Sequence, residues 1–291
     1  MPGAREEVLC GTLTVYENRE TRTGRTIDLN VVVLPALEPG GAKEAPLFPL
    51  DGGPGVAATH AAGFYAGEGK KYRRRRDVVL VDQRGTGKSN GLAAPAGTKT
   101  PQQFLTEMYP VAYVQELRAS LEPRADLTQY TTSIAMDDLN DVRAWLGYEQ
   151  IDLAGLSYGT SAALVYMRQH PTRVRAAVLM GVAPTDLKMP SHHARAAQRA
   201  LELLLDDCSG DSACHGAFPE LRREWEELLA RLEREPARVE YSPPDQSGAV
   251  TVEIGRDIFA EKLRSTMYST AGARQIPLII HHAARATLGR F

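Results

Sequence analysis

The stretch "QIDLAGLSYGTSAALVYMRQHP", Gln150–Pro171, constrains the fold more than any other part of this chain. A short apolar run leads to Gly155, a serine follows at Ser157, Gly159 comes two residues later, and helix formers continue to His170. Gly-x-Ser-x-Gly between a strand and a helix is the sequence of a sharp, strained turn. It holds the serine hydroxyl exposed above a sheet edge, at the N-terminus of the next helix, where developing negative charge is favoured. Such a turn demands a buried sheet whose strands alternate with helices, and a serine so held is a candidate nucleophile in need of a base.

The neighbouring sequence supplies that sheet. "CGTLTVYEN" and "RTIDLNVVVLPAL" alternate apolar and polar residues around "RETRTG", which predicts an antiparallel strand pair. "APLFPL" and "DVVLVD" are short continuous apolar runs of the kind buried on both faces. Helical patterns follow near Pro101–Leu121 and over "TTSIAMDDLNDVRAWLG", where Thr131 or Thr132 is a candidate N-cap and Gly147 the stop. "QIDLAG" is the next strand, Ser161–His170 a helix, and "RVRAAVLMGV" a further strand. This alternation predicts an α/β fold with a mostly parallel sheet built from right-handed crossovers. After Val182 the texture changes: Pro190–Asp207, Phe218–Glu235, Arg256–Tyr268 and Gln275–Thr287 predict amphipathic helices, with "SPPDQSG" as a loop between the pairs. The expected division is a sheet-bearing core over 1–185 and a helical lid over 186–291.

Charge excludes some functions. With 34 basic and 36 acidic residues the net charge is −2, so no global field attracts nucleic acid or an anionic membrane. The one dense basic cluster, "KKYRRRR" at Lys70–Arg76, is expected to be a solvated helix end. No apolar run reaches the ~18 residues of a membrane span, and "MPGAREEVLC" lacks the apolar core of a secretory leader, so a soluble chain is expected. Cys208 and Cys214, in "CSGDSAC", are close enough to close a small disulfide loop in an oxidising compartment, which would favour an extracytoplasmic site; two free thiols are the alternative. Only His215 stands beside them, so no zinc site is expected, and no cofactor is implied elsewhere.

Three glycine-rich turns carry the chemistry. "VVLVDQRGTGKSN" imitates a phosphate-binding loop, but such a loop needs a glycine ahead of its Gly-Lys-Ser, separated by four residues, and that position is Asp82. "LDGGPGVA", Leu50–Ala57, follows an apolar run and suits the second half of an acyl-transfer site. Two backbone N–H groups must face the oxyanion, one from the residue after the nucleophile and one from a loop after an earlier strand. Tyr158 supplies the first; Gly53 is assigned the second, with Gly52 as its neighbour.

These turns, with "CGTLTVYEN", "CSGDSACHGAFP" and "IPLIIHHAARA", resemble in order and spacing the proline iminopeptidase and tripeptidyl aminopeptidase group of α/β-hydrolases, the S33 serine peptidases. The resemblance implies an α/β-hydrolase fold with a helical lid. It also implies an acyl-enzyme mechanism on Ser157 and release of proline or short peptides from free N-termini; close relatives hydrolyse esters instead. Many members carry histidine where this chain has Asp51, a residue that supports the loop.

In that family the lid is followed by two further strands bearing the triad aspartate and histidine, whereas Phe291 falls within the lid-like stretch. The expectation is therefore that the acid and base lie outside these residues, that the last strands are missing, and that an unpaired strand edge promotes association. An internal triad would use Asp257 with His281 or His282, but "QIPLIIHHAARATL" spaces its apolar residues as a helix does. Asp186 is a possible acid that would still lack a base, and His60, His170, His192, His193 and His215 read as structural or surface residues. Glu202, Asp206 and Asp207 are candidate anchors for a substrate ammonium and read more simply as a solvated helix face. Three functions follow: an aminopeptidase, a carboxylesterase using the same Ser157, and a non-catalytic N-terminal fragment whose sheet edge binds a partner such as the remainder of the enzyme. The partner expected of the first two is a peptide or small ester, with neither nucleic acid nor membrane.

Overall fold

A computed structural model of the chain describes residues 7–38, 40, 44–93, 102, 105, 110–188, 191–242 and 248–285. Six strands form one sheet: β1 (Leu9–Tyr16), β2 (Thr26–Leu34), β3 (Leu47–Leu50), β4 (Val78–Val81), β5 (Ile151–Leu156) and β6 (Val174–Met180), in the order β1-β2-β4-β3-β5-β6. β1 and β2 pair antiparallel from Leu9↔Val33 to Tyr16↔Thr26, and β2 pairs antiparallel with β4. From β4 through β3 and β5 to β6 the pairing is parallel. The period-two pattern of β2 puts Ile27, Leu29, Val31 and Val33 in the core, while every residue of the continuous run in β4 is buried.

The helices α1 (Ala62–Ala66), α2 (Val111–Leu121), α3 (Thr132–Trp145) and α4 (Tyr158–Gln169) belong to the connections between these strands. Residues 101, 103, 104 and 106–109 of the expected helix at Pro101–Leu121 lie outside the described residues. The Thr131 hydroxyl caps α3 by accepting from the Ile134 N–H at 3.3 Å, and Gly147, at φ +78°, ends that helix as its sequence implies. α4 begins at Tyr158, three residues before the predicted start, because the turn at Ser157 passes directly into the helix. Met136, Leu139 and Val142 of α3, with Ala162, Ala163 and Tyr166 of α4, cover Phe48, Leu50, Ile151 and Leu153 of the sheet. Each fully buried side chain of this size contributes roughly 1.5–3 kcal/mol. β6 differs. Among the described residues it pairs with β5 alone, and despite its apolar run it is largely exposed, with Val178 59 % exposed.

The chain divides into two compact units, Met1–Pro95 with Gln115–Leu187, and Ala96–Val114 with Lys188–Phe291. The second contains α5 (His193–Gly210), α6 (Ser212–Ala217), α7 (Leu221–Arg234), β7 (Ala237–Tyr241), β8 (Val250–Ile254), α8 (Arg256–Thr266), α9 (Thr270–Ala273) and α10 (Ile276–Arg285). Leu201, Leu205, Trp225, Leu263, Ile276 and Ile280 form its core, and a disulfide joins Cys208 of α5 to Cys214 of α6.

The purely helical reading of this region needs correcting. β7 and β8 form an antiparallel hairpin whose strands "ARVEY" and "VTVEI" alternate in a period of two; its connecting residues 243–247 lie outside the described residues. The basic run at Lys70–Arg76 enters a short 3-10 helix over Glu68–Arg73, and its arginines are spent internally. Arg74 pairs with Glu38 at 2.9 Å, Arg75 reaches Glu38 and Glu44, and Arg76 joins Glu44 and Asp152. Among the described residues no helix is long and apolar enough to cross a membrane, and no three His, Cys, Asp or Glu side chains gather as a metal site.

Candidate active site

Ser157 is exposed at the end of β5 with φ +53° and ψ −121°, a backbone conformation that a residue with a Cβ adopts at a cost of order 1–3 kcal/mol. Its surroundings enforce it. The Ser157 N–H donates to the Met180 carbonyl at 2.9 Å, and the Ser157 carbonyl accepts from both the Thr160 N–H (2.9 Å) and the Thr160 hydroxyl (2.6 Å). The flanking glycines are required by close approach. A Cβ on Gly155 would lie 2.7 Å from the Gly159 carbonyl oxygen, and one on Gly159 only 1.8 Å from that of Leu50. The helix can therefore begin immediately after the serine, against the end of β3, only because both positions lack side chains.

The loop after β3 lies over the same point. A Cβ on Gly52 would be 3.2 Å from Ser157 Cβ and 3.7 Å from Ser157 Oγ, which makes Gly52 the glycine packed on the serine. Gly53 follows at φ +110° with a cis peptide to Pro54. Among the described residues the backbone N–H groups of Gly52, Gly53 and Tyr158 donate to no protein acceptor. The structure thus brings the three predicted site residues, Ser157, Tyr158 and Gly53, to one end of the sheet and leaves the nominated donors unspent.

The loop after β4 holds the other two in place. Asp82, fully buried, accepts from the Asn30 amide (2.9 Å), the Thr59 N–H (3.0 Å), the Thr59 hydroxyl (3.1 Å) and the Lys88 N–H (3.2 Å). Thr59 sits in the 3-10 turn at Ala58–Ala61, so this carboxylate pins the far end of the glycine loop whose near end is β3. Gly87 is required here, since a Cβ would fall 2.3 Å from Asp82 Oδ2. The apparent phosphate loop is thereby explained: its backbone closes on an internal carboxylate. Arg84 is equally committed, with Nε and Nη2 on Asp138 (2.6 and 2.8 Å) and its remaining N–H groups on the carbonyls of Glu17, Gln129 and Tyr16.

The three loops border one cavity of about 300 Å³, lined among others by Asp51, Gly52, Gly55, Gln83, Thr132 and Tyr158, with the exposed Ser157 adjacent to Gly52 and Tyr158. Tyr158 is anchored by a 3.0 Å hydrogen bond between its hydroxyl and that of Thr132, and donates to Gln83 Oε1 at 3.4 Å; burial holds its phenol protonated well past neutrality. Asp51 is half-buried, and desolvation raises its carboxyl above the usual range against the opposing influence of His60. The sequence reading gives Asp82 only as the residue that breaks the phosphate-loop pattern and Thr132 only as a candidate N-cap, and it does not name Gln83. The apolar run ending in Asp82 could have marked the first, but nothing local marks the others.

A profile of the alpha/beta hydrolase fold matches residues 46–239, which span β3 through the first strand of the second unit's hairpin. The chain belongs to the alpha/beta hydrolase family. The serine protease Hip1 of Mycobacterium tuberculosis is 28% identical to it over 230 residues, covering 72% of this chain and 44% of that protein. A "Probable proline iminopeptidase" of Streptomyces coelicolor is 31% identical over 138 residues, covering 47% of this chain and 33% of that one. The alpha/beta hydrolase described here thus spans less than half the length of these curated relatives. A crystal structure of a proline iminopeptidase-related protein from Thermus thermophilus aligns with a TM-score of 0.35 at 22% identity, covering 59% of this chain and 44% of that one.

Two histidines of this alpha/beta hydrolase are held by carboxylates. His170 pairs with Asp137 at 3.0 Å, and His281 Nδ1 with the buried Glu224 at 2.9 Å, its ring edge-on to that of Phe218. The internal alternative of Asp257 with His281 or His282 is not formed: both histidines lie on α10, as the apolar spacing implies, and Asp257, in the first turn of α8, hydrogen-bonds neither. Among the described residues no histidine hydrogen-bonds Ser157. Glu202 and Asp206 are both taken by Arg222 on an exposed face.

Proposed function

We propose that this chain carries the nucleophile and oxyanion site of a serine hydrolase of the S33 aminopeptidase type. Ser157 Oγ attacks the carbonyl of a substrate's N-terminal residue or short peptide, and the backbone N–H groups of Tyr158 and Gly53, or its neighbour Gly52, receive the negative charge that develops on oxygen. The leaving amine departs with a proton, and water then hydrolyses the acyl-enzyme. The proton is shuttled by a histidine other than the seven of this chain, contributed by the remainder of the enzyme.

One observation carries the reading: a non-glycine residue held at φ +53°, exposed, beside unspent N–H donors of two separate loops. A structural serine has no reason to retain that strain. The kinship to Hip1 and the Streptomyces protein supports a peptidase over the esterase alternative. A fluorophosphonate probe, followed by peptide mass mapping, tests it. With a base supplied, as the remainder of the enzyme or as added imidazole, the adduct is expected on Ser157 and absent from Ser157→Ala; an adduct that persists in the variant overturns the assignment.

A further inference from the structure

We propose that the Asp51 carboxylate is the anchor for a substrate's ammonium group, so that the cavity beside Ser157 selects ligands carrying a free amine. The inference rests on the proposed aminopeptidase reading of Ser157 and adds to it the residue that selects the free amine.

Only two charged side chains line the cavity, Asp51 and Arg84. Arg84 is neutralised by Asp138, and all five of its N–H groups are engaged with acceptors on Asp138, Glu17, Gln129 and Tyr16. The hydroxyls of the lining are also engaged, and the Gln83 side-chain oxygen accepts from Tyr158. Thr131 caps α3, the Thr86 hydroxyl donates to the Gln83 carbonyl, Tyr130 bonds Glu17 and Asn90, and Tyr158 bonds Thr132 and Gln83.

Asp51 is the exception among the charged groups. Among the described residues nothing donates a hydrogen bond to its carboxylate. The groups within electrostatic reach are His60, which is exposed, and Tyr65, whose phenol is pushed up to about 12 by burial and by this same carboxylate. A half-buried acceptor with up to four unfilled lone-pair sites, in a cavity with no other unpaired charge, favours a donor cation.

Position reinforces chemistry. Asp51 directly follows β3 and precedes Gly52, the residue packed on Ser157, and the Asp51 carbonyl lies against Gly159. An unpaired carboxylate beside an oxyanion site opposes the charge that forms there, whereas one paired with a substrate ammonium does not. A substrate bearing a free amine near its scissile carbonyl removes that conflict, and an uncharged ester leaves it in place.

The test measures binding by calorimetry on the Ser157→Ala chain, with the dipeptide amide Pro-Ala-NH2 and its N-acetyl form. The free amine is expected to bind about tenfold more tightly, the factor for one charge-assisted pair. Asp51→Asn should abolish the difference, and Asp51→Glu should retain part of it, with thermal melting confirming that both variants fold. Equal affinities for the two peptides, a preference that survives Asp51→Asn, or no binding of either peptide would each overturn the proposal. Fluorophosphonate mapping of the parent chain with added imidazole as the base, run in parallel, separates the two ideas. An adduct on Ser157 without amine preference removes Asp51 and leaves the nucleophile; amine preference without an adduct does the reverse.

Discussion

The turn after β4 and the pair of turns after β3 and β5 look alike in sequence, each an apolar run ending in closely spaced glycines. Their polar accounts are opposite. After β4, Asp82 accepts four hydrogen bonds and every N–H of Arg84 is placed. After β3 and β5, a serine is strained, three N–H groups are unspent and a carboxylate stands without a donor. Satisfied buried groups build a scaffold; unsatisfied groups at the rim of a cavity are kept for something that arrives.

The comparison can be broken at several points. The largest effect belongs to Gly159→Ala, whose Cβ would sit 1.8 Å from the Leu50 carbonyl oxygen: helix α4 would have to move away from the end of β3. A loss of about 4 kcal/mol or more, or failure to yield folded protein, is expected in denaturant unfolding. Asp82→Ala comes next, costing about 2–4 kcal/mol because the N–H groups of Thr59 and Lys88 and the Asn30 amide lose their acceptor in the interior. A loss under 0.5 kcal/mol would contradict the scaffold role.

Ser157→Gly should move the other way, stabilising by about 1 kcal/mol through relief of the positive φ while abolishing labelling. Destabilisation would mean the turn is not strained. Smallest is Asp51→Asn. The folded-state carboxyl is raised by burial, so folding favours its protonated form; that contribution is complete below the unfolded pKa near 3.9 and is lost as pH rises through the higher folded value. The variant should therefore be slightly more stable than the parent at pH 7 and indistinguishable near pH 3, as read by thermal melts at the two pH values.

Much of this was legible beforehand. Strand and helix periodicity gave β1 to β6 and α3, and Gly155 and Gly159 announced the turn at Ser157, because close approach leaves a mark in residue size. The β7–β8 hairpin was missed because "ARVEY" is short and directly follows a long amphipathic helix, so its period-two signal was overrun. The exposure of Val178 was also hidden, since an apolar run specifies a strand and not what covers it. The roles of Asp82, Gln83 and Thr132 depend on contacts across 23 to 75 positions of sequence, which no local pattern carries.

On the proposed function, Ser157 is a nucleophile whose base is none of the seven histidines of this chain. Hydrolysis of p-nitrophenyl acetate by the purified chain, with and without added imidazole, tests it most directly. Without a base, only binding and the oxyanion site remain, a contribution of roughly 10³–10⁴ over water in a well-studied triad. Turnover should therefore be weak alone, rise with imidazole in saturable fashion, and vanish in Ser157→Ala at every imidazole concentration. Robust turnover without imidazole that is abolished by Ser157→Ala and by either His281→Ala or His282→Ala would contradict the account and place the base within the chain.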